Sequence, residues 1–185
     1  MAAPISLHTN RLVLRPHRLT DIDDAFAYAS DPEFSRYLAL PRPYTRRHAE
    51  QFLAICVLTD WSVHPQWAIE YEGHAIGGIN IRLERGNNIA GLGYGIGSSH
   101  WGKGIATEAA RAVVDWGFTE LGVEKIHARC GVENAGSWRV MEKIGMKREG
   151  LLRKHYVYHG ERRDDYLYGI LREEWQPAQA PSSVR

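Results

Sequence analysis

Between Gly91 and Ala110 the chain reads "GLGYGIGSSHWGKGIATEAA": a glycine at every second position, then Gly102 and Gly104 at the start of a helix-period segment. In a strand successive side chains alternate between faces, so Gly91, Gly93, Gly95 and Gly97 fall on one face. That face is read in two ways: as open backbone against which a ligand's chain lies, or as a loosely packed edge strand with a bulge. The small residues Gly102, Gly104 and Ala106 let successive N–H groups turn toward one anion at a helix N-terminus, where the helix dipole also favours negative charge. Gly97–Lys103 fits G-x-x-x-x-G-K, but Gly104 stands where a P-loop needs the Ser or Thr that holds magnesium. Thr107 stands where a Rossmann loop needs its third glycine. The loop therefore suits a phosphate held without metal; Lys103 either faces that phosphate or is solvated.

Around this feature the pattern predicts β-α-α-β-β-β-α-β-α-β-β, a mixed α/β domain around one mostly antiparallel sheet. "RLVLRP" (Arg11–Pro16) reads as the first strand. A helix follows with Thr20 as N-cap and ends at Asp31-Pro32; a second is capped by Thr45 and runs to about Leu58. Glu72-Gly73 and Gly86–Asn88 mark turns joining three antiparallel strands. Ile105, Ala109, Val113 and Trp116 recur at helical spacing. "VEKIHARCGV" alternates as a strand, "NAGSWRVMEKIG" is a helix closed by Gly145, and the last strands turn at His159-Gly160. The domain is placed at residues 7–175, with a disordered tail at 176–185.

With 185 residues, 44% hydrophobic and 24% charged, one globular domain can bury a real core. A formal net charge of +1 gives no overall pull toward nucleic acid, and none is predicted as a partner. No apolar run is long enough to span a bilayer, and the N-terminus lacks the pattern of a secretion signal, so a cytoplasmic protein is expected. Cys56 and Cys130 lie far apart and suit free thiols in a reducing compartment. The histidines form no H-x-x-x-H, and no metal site is expected. Arg42, Arg46 and Arg47 read as a solvated face or a ligand contact.

Several stretches in order, "SHWGKGIATEAARAVVDWGF", "ARCGVENAGSWRVMEKIGMKREG" and "HGERRDDYLYGILREEW", closely resemble the GNAT acetyltransferases. Within them the chain is similar to the RimJ/RimL branch, which acetylates N-termini of ribosomal proteins. That family's W-G-x-G-x-A-x-E-A is here Trp101–Ala109, and its N-x-x-S is Asn134 and Ser137. With the opening "LHTNRLVLRP", the likeness covers about residues 7–175. Two positions depart from it. Ser99 stands where the superfamily often has Gln or Arg, and Tyr156 stands where some relatives carry a Glu base.

The resemblance implies direct attack of an amine on the thioester of acetyl-CoA. Its implied binding set is Gly95, Ile96, Trp101, Gly102, Lys103, Gly104, Ile105, Ala106, Thr107, Asn134 and Ser137. A backbone N–H near Gly95 or Ile96 would polarise the carbonyl, Asn134 would bond the pantetheine arm, and Ser137 would meet the leaving thiolate. Read without the family, Asn134 is equally an N-cap and Ser137 a surface serine. His127 reads as a packed strand residue, and Tyr156 and Tyr158 as hairpin aromatics, with Tyr156 the one placed at the catalytic position. An α-amine of pKa about 7.7–8.0 is partly neutral at pH 7, whereas a lysine amine near 10.4 is not, which favours a peptide N-terminus as acceptor. The alternatives are a small amine such as a polyamine, amino acid or antibiotic, and a non-catalytic acyl-CoA-binding module. Acceptor choice is expected from Leu40–Arg47 and His155–Arg163. The resemblance leaves the chain a monomer or a homodimer.

Overall fold

Glu72 and Gly73 sit at φ +51° and +84°, His159 and Gly160 at +49° and +84°. Paired left-handed residues make the two-residue turns whose twist matches that of flanking strands. They close β3 (Gln66–Tyr71) on β4 (His74–Glu84) and β7 (Lys147–Tyr158) on β8 (Glu161–Leu171). The computed structural model describes residues 3–177; of the expected tail, residues 178–185 lie outside that range. Its single sheet has eight strands in the order β1-β2-β3-β4-β5-β6-β8-β7, with β1 at Leu7–His8, β2 at Val13–Pro16, β5 at Ile89–Ile96 and β6 at Lys125–Gly131. Every neighbouring pair is antiparallel except β5 and β6. The expected mixed α/β architecture is the observed one.

Among the described residues five α-helices complete it: α1 (Ile22–Ala29), α2 (Pro32–Ser35), α3 (Arg46–Leu58), α4 (Ile105–Thr119) and α5 (Ala135–Lys143). The start of α1 differs from expectation. Thr20 lies in a 3-10 turn over Leu19–Asp21, and it is Asp21 that takes the Arg18 N–H, at 2.8 Å. Asp31-Pro32, expected only to stop a helix, also starts α2: Asp31 accepts from Glu33 N at 2.9 Å.

One face of β5 carries Ala90, Leu92 and Ile96 into the main core with Ile105, Ala109 and Val113 of α4. There α4 lies so close to the sheet that a Cβ on Gly117 would meet Ile81 and Ile126 at 2.9 Å. The glycine face of β5 looks the other way, toward α1 and α2. It is not bare. A Cβ at Gly95 would lie 3.4 Å from the Phe34 ring, and the Asn80 and His127 side chains come as near at Gly93 and Gly91. Since β5 is interior, the edge-strand reading gives way; neighbouring side chains cover Gly91 and Gly93, while Gly95 and Phe34 together border a cleft.

Candidate functional site

Gly102 and Gly104 both hold φ near +75°, a conformation costly for any residue with a Cβ. Two flips around Lys103 bring the chain into α4 with its amides gathered. Glu108 N–H is the first to bond back into the helix, to Gly104 O at 3.0 Å. Among the described residues, the N–H groups of Gly102 through Thr107 have no partner. Side chains fix the loop from both ends. The Trp101 indole donates to Ile96 O at 2.8 Å, and Arg11 donates to Lys103 O at 3.0 Å. Arg11 also pairs with Glu108 at 2.7 Å, and Thr9 donates to the same carboxylate at 2.6 Å. Glu108 thereby fastens the N-terminal segment to the first turn of α4.

Beside the loop the sheet opens. β5 and β6 pair only from Ile89–Gly91 to Lys125–His127 and then diverge. Gly97 N–H bonds Ile76 O at 2.8 Å, so by the alternation of an antiparallel ladder the backbone groups of Leu92, Tyr94 and Ile96 face the gap. Tyr94 spans it: its hydroxyl donates to Ser137 O at 2.9 Å and lies 3.1 Å from Ser137 Oγ. Burial pushes that phenol well above its usual range. Asn134 caps α5, its Oδ1 accepting from Ser137 N at 3.1 Å. Burial pushes the neighbouring Cys130 thiol up to about 11, against the pull of the Ser137 hydroxyl.

These parts enclose a cleft of about 500 Å³. Gly95, Ile96, Trp101, Gly102, Gly104, Ile105, Ala106, Thr107, Asn134 and Ser137 all line it. Lys103 and Tyr156 do not. Arg139 and Lys143 of α5, with Phe34, Tyr37 and Leu38, complete the wall without having been singled out by the sequence. A second cleft, about 480 Å³, adjoins the first through Tyr37 and Glu133 and is lined by Arg36, Lys154, Tyr158 and Arg162–Asp164. Its inward tyrosine is Tyr158, which donates to the buried Asp165 at 3.2 Å; Tyr156 is 41% exposed. Leu40–Arg47 lines neither cleft. Arg46 pairs with Asp23 and Glu50, and Arg42 donates to Ser35 O at 3.4 Å. The segment that does reach the clefts is Phe34–Leu38.

The cleft suits an acyl-CoA. Its free amides and the Arg139 and Lys143 cations match phosphates, and the opened strand edge matches an amide-bearing arm. The His100 Nδ1, buried at the same wall, has no partner among the described residues. Among the described residues no group of three or more His, Cys, Asp or Glu is placed to hold a metal, and no helix is long and apolar enough to cross a membrane.

The acetyltransferase (GNAT) domain model matches residues 11–147. The N-acetyltransferase p20 of Bacillus licheniformis is 33% identical over 177 residues, 92% of this chain and 98% of that protein. A GNAT-family acetyltransferase from Bacillus anthracis superposes with a TM-score of 0.83 at 30% identity, covering 92% of this chain and all of the other. RimJ of Mycobacterium smegmatis, solved with CoA-disulfide, gives 0.82 at 26% identity over 94% of this chain and 91% of its own. The chain belongs to the GNAT acetyltransferases, with a RimJ-like likeness within them, and is an N-acetyltransferase that uses acetyl-CoA.

Proposed function

We infer that the acceptor is a peptide N-terminal α-amine, as on a ribosomal protein, and that it attacks the thioester directly in a reducing, cytoplasmic setting. The observation that carries the reading is the single cleft in which the amides of Gly102–Thr107, the opened edge of β5 and the start of α5 form one continuous wall. Gly102–Thr107 hold the pyrophosphate through N–H groups already free of internal bonds. Ile96 N–H faces the gap while Gly95 N–H faces β4, so of the two Ile96 is the donor to the thioester oxygen. Asn134 spends its Oδ1 on the helix cap and keeps its amide NH₂ for the pantetheine arm. Ser137 Oγ meets the departing sulfur, which as a thiolate of conjugate pKa about 8.5 needs a hydrogen bond rather than a strong acid.

The two free, buried cysteines agree with a reducing compartment. The rival acceptor is a small amine, and the acids Glu133, Glu161 and Asp164 at the second cleft favour it. Two of them are already committed to Arg163, at 2.5 Å for Glu133 and 2.7 Å for Glu161. Release of CoA thiol, measured with peptides beginning in Ala or Ser beside spermidine and benzylamine, decides the matter. Higher kcat/KM on the peptides supports the reading; turnover confined to the small amines overturns it.

A further inference from the structure

Asp165, at 1% exposure the most buried carboxylate among the described residues, sits on β8 behind the second cleft, opposite Gly131 of β6, which lines it. No Lys or Arg pairs with it among the described residues; its partner is the Tyr158 hydroxyl at 3.2 Å. Burying a carboxylate beside a neutral donor alone is costly, and packing gives no reason for it. The pair also has a suitable position. Tyr158 lines the second cleft, which meets the acetyl-CoA cleft at Tyr37 and Glu133. Asp165 Oδ1 lies over Gly131, which lines that same second cleft. The pair therefore borders the cleft that adjoins the acetyl-CoA cleft.

We propose that Tyr158 takes the proton of the incoming ammonium and that Asp165 is the positioning residue behind it, orienting the phenol and receiving its proton. This rests on the acetyl-transfer reading above. An N–H bond of the ammonium breaks and leaves its electron pair on nitrogen for the attack. A new O–H forms on Tyr158 as the phenol's own proton crosses to Asp165 Oδ1. After the product leaves, the proton returns through Tyr158 to water, so no further reactant is needed. The charged and titratable groups facing the pair are Arg129 from β6 and Tyr156 from β7; Cys130, opposite Tyr166, lies on the other face of the sheet. Arg129 is itself held against His155. Burial, with Asp165 next, pushes the Tyr158 phenol up to about 12, so it waits protonated across the working range.

The test compares the parent with Tyr158→Phe, Asp165→Asn and the double variant. CoA thiol release is followed from pH 6 to 10, using whichever of an Ala-initiated peptide, a Ser-initiated peptide or benzylamine the parent acetylates. Each single variant should lose at least tenfold in kcat/KM for the amine at pH 7, and the loss should shrink as pH passes the amine's own pKa. The double variant should be no worse than the poorer single one, and acetyl-CoA affinity should stay within twofold. A parent-like pH profile, or a loss equal at every pH, overturns the relay. Should Asp165→Asn fail to fold, Tyr158→Phe decides alone. A parent that binds acetyl-CoA yet acetylates no amine overturns the acetyl-transfer reading and the relay with it, whereas an active parent with unaffected variants overturns the relay only.

Discussion

At Gly104 two demands meet: a backbone at φ +76° and an approach for phosphate free of side-chain atoms. Among the described residues, the atom beyond its chain neighbours within 4 Å of its missing Cβ is Arg11 Nη2 at 3.6 Å, so a larger residue would strain the backbone and crowd the ligand without clashing in the core. Gly104→Val should weaken acetyl-CoA binding at least tenfold, and calorimetry on the folded variant would show it; unchanged affinity would remove the loop from the site. A second set of variants separates binding from chemistry at α5. Ser137→Ala should cut kcat more than affinity, Asn134→Ala should weaken affinity, and Tyr94→Phe should follow Ser137→Ala because its hydroxyl holds both Ser137 O and Oγ. Parent-level kinetics in all three across pH would refute the assignment. The loop was legible because its conformation is written in adjacent residues. Tyr94 was not, since its partner lies 43 positions away. The resemblance points to Tyr156, which stands at the family's Glu position, and leaves Tyr158 unmarked. Two residues apart on a regularly paired stretch of β7, they share a face with their rings 5.0 Å apart, so alternation cannot separate them; what marks Tyr158 is its bond to Asp165 on the paired strand.

Among the elements, long periodic ones could be read and short ones could not. α4 and the hairpins carry a period or a turn pair; β1 has two residues and α2 four, too few to show either. The link from β2 into α1 instead depends on a buried ion network that no local pattern reveals. Arg15 holds Asp21 through two bonds at 2.9 and 2.8 Å and also bonds Glu70. Burial pushes Asp21 up, but the Arg15 bonds, the Arg18 N–H and the Arg15 charge together outweigh it and keep the carboxyl below its usual range. His17, next along the chain, is pushed down to about 4, mainly by burial. Unfolded, His17 takes a proton near pH 6.5; folded, it stays neutral to about 4. Its contribution is therefore complete above pH 6.5 and is lost as pH falls toward 4, and Asp21 acts in the same direction at lower pH. Between pH 5 and 6, urea unfolding of the parent should lose stability more steeply than that of His17→Gln, by close to one proton or about 1.4 kcal/mol per pH unit. Equal slopes would mean that His17 titrates alike in both states.

For the molecule as a whole, the three-residue pairing of β5 with β6 makes the sheet two panels joined at a short hinge line, with Tyr94 as the one described side-chain tie from β5 to Ser137 on α5. A panel edge with its backbone groups turned to an empty gap has places for one more strand, and the extended amide-bearing arm of acetyl-CoA has the shape to serve as that strand. Substrate would then complete the architecture as well as react in it. At a hundredfold excess over Kd, a ligand of the native state alone adds about 2.7 kcal/mol, roughly 5–10 °C in Tm for a chain of this size. The gain should be local as well as global. Exchange of the Leu92, Tyr94 and Ile96 amides should slow on binding beyond the general rise, while those of Gly93 and Gly95, already turned toward β4, should follow the global change. Uniform slowing across β5 would show that the arm lies elsewhere. On this view the free enzyme is an unfinished sheet, and each catalytic cycle briefly supplies the strand that the polypeptide leaves out.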